Sequence, residues 1–118
     1  MLVVDDEKNI RLTLSQSLDS LGIEISTAVN GEEALRKLQE QEFSLIILDL
    51  RMPGMDGMEV LRHVRTRWPK TRVIVITAYG TVESAVEAMK LGADDFIQKP
   101  FTPAEIRELA MQVLEREP

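Results

Sequence analysis

The sequence predicts a doubly wound α/β domain, in which a parallel sheet carries helices on both faces. Five short apolar runs alternate along the chain with longer segments whose apolar residues recur every three or four positions. The first kind of pattern is typical of buried strands and the second of amphipathic helices. A length of 118 residues suits one domain with a single core.

The apolar runs are predicted to form the strands of the sheet. They are Met1 to Val4, Ile23 to Ala28, Ser44 to Leu48, Arg72 to Thr77 and Asp95 to Gln98. The third run contains four consecutive aliphatic residues, which favours a strand buried on both faces. The second run is more polar than the others, so we expect it to lie at an edge of the sheet.

Each strand is followed by a segment with helical periodicity. The predicted apolar faces comprise Ile10, Leu14, Leu18 and Leu21; Ala34, Leu35 and Leu38; Met58, Leu61 and Val64; Val82, Ala85, Val86 and Met89; and Ile106, Leu109, Ala110, Val113 and Leu114. Capping residues and helix breakers mark the ends of these helices, namely Gly22, Asn30-Gly31, Pro69, Thr81, Gly92 and Thr102-Pro103-Ala104-Glu105. Right-handed crossovers place five helices on both faces, and the small size favours the flavodoxin-like strand order 2-1-3-4-5.

The composition excludes several classes of function. A formal net charge of -6 and a pI near 4.8 argue against direct nucleic-acid binding, which needs a basic face. The chain has no cysteine, so disulfides and thiol chemistry are excluded. The single histidine, His63, is predicted to be an exposed helix residue without a function. The run from Met1 to Val4 is too short for a signal peptide or a membrane span, so we expect a cytoplasmic protein.

Three acidic residues stand at the ends of predicted strands. Asp5 and Asp6 follow the first strand, and Asp49 follows the third. In the predicted topology the strand order reverses between these two strands, and ligands bind outside the carboxyl ends of strands at such a point. The carboxylates are therefore expected to converge there. Their mutual repulsion would be relieved by a hard divalent cation, and Mg²⁺ suits a site with few carboxylates.

Two further polar residues end neighbouring strands. Thr77 ends the fourth strand and Lys99 follows the fifth. Acids, a metal ion, a hydroxyl and an ammonium group together can bind a phosphoryl group attached to one of the carboxylates. We therefore expect Asp49, Thr77 and Lys99 to take part in phosphoryl transfer.

Taken singly, these residues have ordinary structural explanations. Asp5 or Asp6 would cap the first helix, and Asp49 would accept backbone hydrogen bonds in a loop. Thr77 would simply end a strand, and Lys99 would be solvated. Their joint placement at the ends of four predicted strands favours a functional site.

The motifs that contain these residues resemble those of two-component response-regulator receiver domains. They are Val3-Val4-Asp5-Asp6-Glu7, Asp49-Leu50-Arg51-Met52-Pro53-Gly54-Met55-Asp56-Gly57, Thr77-Ala78 and Lys99-Pro100-Phe101. The resemblance covers essentially the whole chain and implies a CheY-like domain over residues 1–118.

The resemblance also implies a role for each site residue. Asp49 accepts a phosphoryl group from a sensor histidine kinase, and Thr77 and Lys99 contact that group. Mg²⁺ is bound by Asp5, Asp6, Asp49 and the backbone carbonyl of Arg51. The Lys99-Pro100 peptide bond is typically cis in such domains.

Phe96 occupies the position of the aromatic switch residue in this family. The resemblance implies that Thr77 and Phe96 move inward together on phosphorylation, because the added charge shifts a two-state equilibrium. Phe96 lacks the hydroxyl of a tyrosine at this position, so the switch would act through packing. Homodimerisation through the face of the fourth and fifth helices is also implied.

The segment from Thr77 to Val86 is most similar to receivers of NtrC-type, sigma-54-dependent transcriptional regulators. This similarity implies an AAA+ ATPase domain and a DNA-binding domain beyond residue 118, in a longer regulator. A stand-alone receiver or a phosphorelay intermediate is the alternative within the same class.

Two other classes of function remain open. A haloacid-dehalogenase-type phosphatase also uses an aspartyl nucleophile, but it requires a second Asp two residues later, where this chain has Arg51. A pseudo-receiver would act only as an interaction module, although every acceptor-site residue of a receiver is present here.

Overall fold

The computed structural model describes residues 1–78 and 82–116. Within these residues five strands form one parallel sheet in the order β2-β1-β3-β4-β5. The strands are β1 (Leu2–Val4), β2 (Ser26–Ala28), β3 (Leu45–Asp49), β4 (Arg72–Thr77) and β5 (Asp95–Gln98). The predicted fold class and strand order are confirmed, and β2 is an edge strand.

The helices alternate with the strands as predicted. They are α1 (Lys8–Leu18), α2 (Gly31–Glu40), α3 (Gly57–Arg67), α4 (Val82–Lys90) and α5 (Pro103–Glu115). At the start of α5, the Thr102 side chain accepts from the backbone N–H of Glu105, and the Glu105 side chain accepts from the backbone N–H of Thr102. This capping box confirms the helix start that the sequence predicts. None of the described helices has both the length and the apolar character needed to cross a bilayer.

The sheet separates two hydrophobic cores. On one face α1 and α5 bury residues such as Leu14, Leu18 and Ile106 against the sheet. On the other face α2, α3 and α4 form the second core, which includes Leu38 and Leu61. All five residues of β3 are buried, because this central strand contributes side chains to both cores.

Two predicted elements, the second strand and the first helix, differ from the structure by more than one residue in extent. The strand predicted from Ile23 pairs only from Ser26 onward, because the ladder with β1 begins at the Leu2–Ser26 pair. Ile23 and Ile25 instead pack, half-buried, against the core of α1 and α5. Leu21 was expected on the face of α1 but lies in a separate 3-10 turn. The predicted helix cap Thr81 lies outside the described residues.

Only Ala85 of the apolar face predicted for α4 is buried. Ala85 and Ala88 are the residues that α4 buries, whereas Val82, Val86 and Met89 are 58%, 49% and 39% exposed. Two small alanines let the helix lie close to the sheet, and this orientation directs the larger side chains toward solvent. The pattern of apolar residues alone could not distinguish the two orientations.

Candidate functional site

The strand register brings the three predicted acids together. Val4 of β1 pairs with Leu48 of β3, so Asp5 and Asp49 follow at the same level on neighbouring strands. One carboxylate oxygen from each of Asp5, Asp6 and Asp49 lies within 4.8 Å of the others. Asp5 and Asp49 are buried, and Asp6 is exposed. The predicted convergence of these acids at the switch point is thus found in the structure.

Backbone hydrogen bonds fix the two buried carboxylates. Asp5 Oδ1 accepts from the N–H of Glu7 at 2.9 Å, and Asp49 Oδ1 accepts from the N–H of Arg51 at 3.0 Å. Glu7 occupies the N-cap position of α1, and its side chain makes no capping hydrogen bond. Neither Asp5 nor Asp6 therefore holds the N-cap position of α1. In both Asp5 and Asp49, the second carboxylate oxygen is left for other partners.

Lys99 reaches this cluster from the end of β5. Its Nζ lies 3.6 Å from Asp5 Oδ2, 3.6 Å from Asp49 Oδ2 and 3.7 Å from Glu7 Oε1. The backbone N–H of Lys99 donates to the carbonyl of Thr77 at 2.8 Å, which fixes where the side chain begins. The Lys99-Pro100 peptide bond is cis, as the resemblance implies. Lys99 is therefore held inside the acidic cluster and is not a freely solvated lysine.

Two buried oxygens at the site have no hydrogen-bond partner within residues 1–78 and 82–116. They are Asp5 Oδ2 and Thr77 Oγ1. An unsatisfied buried polar atom costs about 1–3 kcal/mol, so such groups usually have a ligand or a functional role. A carboxylate oxygen that accepts no hydrogen bond and lies beside two other acids suits a hard cation. An unpaired hydroxyl suits an anionic ligand to which it can donate.

The electrostatics of the site reflect burial and crowding. Burial raises the pKa of Asp5 to about 6, and repulsion from Asp49 and Asp6 adds to this effect. Burial also raises the pKa of Asp49, although the N–H of Arg51 and the Lys99 ammonium oppose the shift. Burial alone would lower the pKa of Lys99, but Asp49, Asp5 and Glu7 together raise it. The acids thus carry more negative charge than one lysine can neutralise.

The remaining predicted site residues lie around this cluster. The side chain of Arg51 is exposed, in the loop that follows Asp49. Phe96 lies on β5 with 38% of its surface exposed. His63 is exposed on α3, as predicted.

The structure also reveals contributors that the sequence patterns did not single out. Glu7 directly contacts Lys99, and its position next to Asp5-Asp6 was the available signal. Arg11 of α1 donates from Nη1 to the backbone carbonyl of Asp5 at 2.8 Å. Glu32 of α2 accepts from the N–H of Met55 at 3.3 Å and so contacts the loop after Asp49. Contacts of this kind depend on tertiary packing.

The known proteins whose sequences are similar to this chain include several regulators. FleR, a response regulator of Pseudomonas aeruginosa, is 43% identical over 109 residues, covering 92% of this chain and 23% of FleR. The regulatory protein AtoC of Escherichia coli is 39% identical over 115 residues, covering 98% of this chain and 25% of AtoC. A probable transcriptional regulator, ycf27 of Cyanidium caldarium, is 42% identical over 116 residues, covering 98% of this chain and 46% of the relative. The chain thus spans between about a quarter and a half of these relatives.

Solved structures match over nearly the whole chain. The receiver domain of NtrX from Brucella abortus superposes with a TM-score of 0.94 at 35% identity and covers 98% of both chains. CheY4, a chemotaxis protein of Vibrio cholerae, has a TM-score of 0.88 at 35% identity and covers 95% of both chains. The sequence model of the family described as "response regulator receiver domain" matches residues 1–111 of this chain. The chain therefore belongs to the response-regulator receiver domain family.

Proposed function

We propose that Asp49 is the phosphoacceptor of a two-component signalling switch. The observation that supports this most directly is the position of Asp49 Oδ2, which lies 3.6 Å from Lys99 Nζ inside a cluster of acids. A carboxylate oxygen of Asp49 attacks the phosphorus of a phosphohistidine in a sensor kinase. The bond from phosphorus to the histidine nitrogen breaks, and that nitrogen keeps the electron pair and takes up a proton.

The other residues of the site would bind and stabilise the transferred group. Asp5, Asp6, Asp49 and the backbone carbonyl of Arg51 would hold Mg²⁺. Asp5 Oδ2, which accepts no hydrogen bond from the described residues, supports a cation there. When bound, the ion would supply positive charge that offsets the negative charge of the phosphoryl oxygens. Lys99 would donate to a phosphoryl oxygen from its present position. The buried Thr77 hydroxyl, which has no partner in the described part of the chain, would donate to another.

The proposed acceptor is tested by direct mass analysis of the intact protein. After incubation with Mg²⁺ and acetyl phosphate, the wild type should gain one phosphoryl group that hydroxylamine removes. Asp49→Asn should gain none, because an amide cannot form an acyl phosphate. Asp19→Asn, which makes the same change in an exposed turn, should behave as wild type. Undiminished labelling of Asp49→Asn would overturn the assignment.

We infer that phosphorylation changes the packing of Phe96 and the neighbouring face of the domain. Thr77 and Phe96 lie on adjacent strands, with Val75 opposite Phe96 in the ladder. Inward movement of the Thr77 hydroxyl toward a phosphoryl group would open space for the partly exposed aromatic ring. The phosphate charge would thereby bias an equilibrium between two conformations.

We propose that the domain, residues 1–118, is the N-terminal receiver of a longer cytoplasmic transcriptional regulator of the NtrC type. The similarity to FleR and AtoC supports the subfamily, and both are longer proteins, since this chain matches only about a quarter of each. NtrX, of which this chain covers 26%, has been crystallised with ATP. An AAA+ ATPase and a DNA-binding domain would then follow. The sequence of the gene product beyond Pro118 tests this, and a stand-alone receiver or phosphorelay protein is the alternative outcome.

The receiver family is a regulatory one. We propose that the domain promotes only its own phosphorylation and dephosphorylation and does not hydrolyse external phosphate esters. Arg51 stands where an aspartyl phosphatase of the haloacid-dehalogenase type would need its second acid. Sustained release of phosphate from p-nitrophenyl phosphate, lost in Asp49→Asn, would contradict this proposal.

A further inference from the structure

We propose that Glu7 is a positioning residue that competes with the phosphoryl group for Lys99 and thereby slows phosphoryl transfer to Asp49. The inference rests on the proposed function, because it assumes that Lys99 contacts the transferred group. It adds a regulator of the rate to the site, and the regulator lies outside the acid cluster itself.

The geometry divides the Lys99 ammonium among three carboxylates. Its distances to Asp5, Glu7 and Asp49 are 3.6, 3.7 and 3.6 Å, so no single acid dominates. The Glu7 side chain is 61% exposed, whereas the side chains of Asp5 and Asp49 are 0% and 7% exposed. Glu7 thus holds the ammonium from the solvent side, and the two aspartates hold it from inside the site.

Glu7 differs from the two aspartates in what happens during the reaction. Asp49 loses its carboxylate charge when one of its oxygens becomes bonded to phosphorus. Asp5 belongs to the cluster that would hold a cation, and Glu7 does not. Glu7 therefore remains a competitor for Lys99 while the phosphoryl oxygens accumulate charge. Its backbone N–H donates to Asp5 Oδ1, which fixes the point from which the Glu7 side chain reaches Lys99.

The expected effect is modest because the Glu7 side of the ion pair is exposed to solvent. Exposed ion pairs contribute little free energy, which corresponds here to a change in rate of about two- to fivefold. Glu7→Gln should leave the fold intact, since Glu7 makes no side-chain capping bond to α1. The variant should therefore be phosphorylated faster than the wild type.

The test measures the rate of labelling by acetyl phosphate at saturating Mg²⁺. In this reaction a carboxylate oxygen of Asp49 bonds to phosphorus, the bond from phosphorus to the acetyl oxygen breaks, and acetate leaves with the electron pair. Glu7→Gln should accelerate labelling about two- to fivefold. Glu42→Gln removes the same charge from an exposed residue just before the amino end of β3. This end of the strands lies opposite to the site, so the variant should have no effect.

Two further measurements separate competition for Lys99 from simple repulsion of the donor. In a Lys99→Ala background, Glu7→Gln should no longer accelerate labelling. Acetyl phosphate is mainly a dianion at neutral pH and phosphoramidate mainly a monoanion, yet both donors should show the same gain. If Lys99→Ala cannot be labelled at all, the comparison of donors decides.

The outcomes distinguish this inference from the proposed function. Equal rates for wild type and Glu7→Gln, or a gain confined to acetyl phosphate, would overturn the role of Glu7 and leave Asp49 as the acceptor. Absence of labelling in the wild type would overturn the proposed function itself.

Discussion

Lys99 Nζ lies 3.6 Å from Asp49 Oδ2, although Lys99 follows β5 and Asp49 ends β3, with β4 between them. The lysine side chain therefore spans the end of β4, the strand that ends at Thr77. This arrangement places an ammonium group, a hydroxyl and a carboxylate at the ends of three consecutive strands. Phosphorylation of Asp49 can therefore affect the ends of β4 and β5 through neighbouring groups.

Removing Lys99 should separate phosphorylation from its structural consequence. Lys99→Ala should keep a cooperative melt, because the side chain belongs to neither of the two hydrophobic cores of the described residues. Phosphorylated Lys99→Ala should lose the change in the NMR signals of Phe96 that accompanies phosphorylation in the wild type, and a full-length regulator should lose its output. Lys70→Ala, an exposed lysine before β4, is the matched control. A wild-type response in Lys99→Ala would refute the proposed coupling.

Neutralising Asp5 should stabilise the metal-free domain at neutral pH. Burial raises the pKa of Asp5 from 3.8 to about 6, so the folded state binds a proton more tightly than the unfolded state. The contribution of Asp5 protonation to the stability of the folded state is fully present below pH 3.8. This contribution is lost as the pH rises through about 6. Asp5→Asn keeps a neutral side chain at every pH, and we expect a gain of roughly 1–3 kcal/mol at pH 7.

Thermal melts in a chelating buffer at acidic and neutral pH check this prediction. The stability difference between Asp5→Asn and wild type should shrink as the solution is acidified below about pH 6. Mg²⁺ should raise the melting temperature of the wild type more than that of Asp5→Asn, because a ligand that binds the folded state stabilises it. A pH-independent difference would show that the burial of the Asp5 charge is not its cause.

The close packing of Gly57 should be necessary for the geometry of the site. A Cβ at this position would lie 2.5 Å from the backbone oxygen of Asp49 and 2.5 Å from the Cα of Leu50. Gly57→Ala must therefore displace α3 from the end of β3, at a cost of about 1–3 kcal/mol. Labelling of Asp49 should slow as well. His63→Ala, on the exposed side of α3, should change neither stability nor labelling, and an unaffected Gly57→Ala would contradict the prediction.

The exposed apolar residues of α4 and β5 should contribute to dimerisation after phosphorylation. Val82, Val86 and Met89 on α4 and Phe96 on β5 are all more than a third exposed. Exposed apolar groups that lie close together often mark an interface. Sedimentation velocity should show that phosphorylation favours the dimer and that Val86→Asp prevents this shift. Leu12→Asp, which alters an equally exposed residue on α1, should still dimerise. A phosphorylated dimer of Val86→Asp would place the interface elsewhere.

The sequence by itself determined the fold class, the strand order and the identity of the three acids. Strong periodicity made this possible, because β3 is apolar throughout and α5 begins with a complete capping box. The carboxyl ends of parallel strands also share one edge of the sheet, so residues that follow these strands must lie near one another. Asp5, Asp49 and Lys99 can therefore be grouped from the sequence alone.

Tertiary structure alone decided how each element is oriented and which contacts the charged groups make. The periodic stripe of α4 contained both valines and an alanine, and only packing on the sheet determined that Ala85 faces inward and Val86 outward. The contact between Glu7 and Lys99 joins residues that are far apart in the chain. It exists because the carboxyl ends of the parallel strands β1 and β5 lie on the same side of the domain. Local patterns specify which residues are apolar or charged, whereas the distances between charges are set by strand register and helix packing.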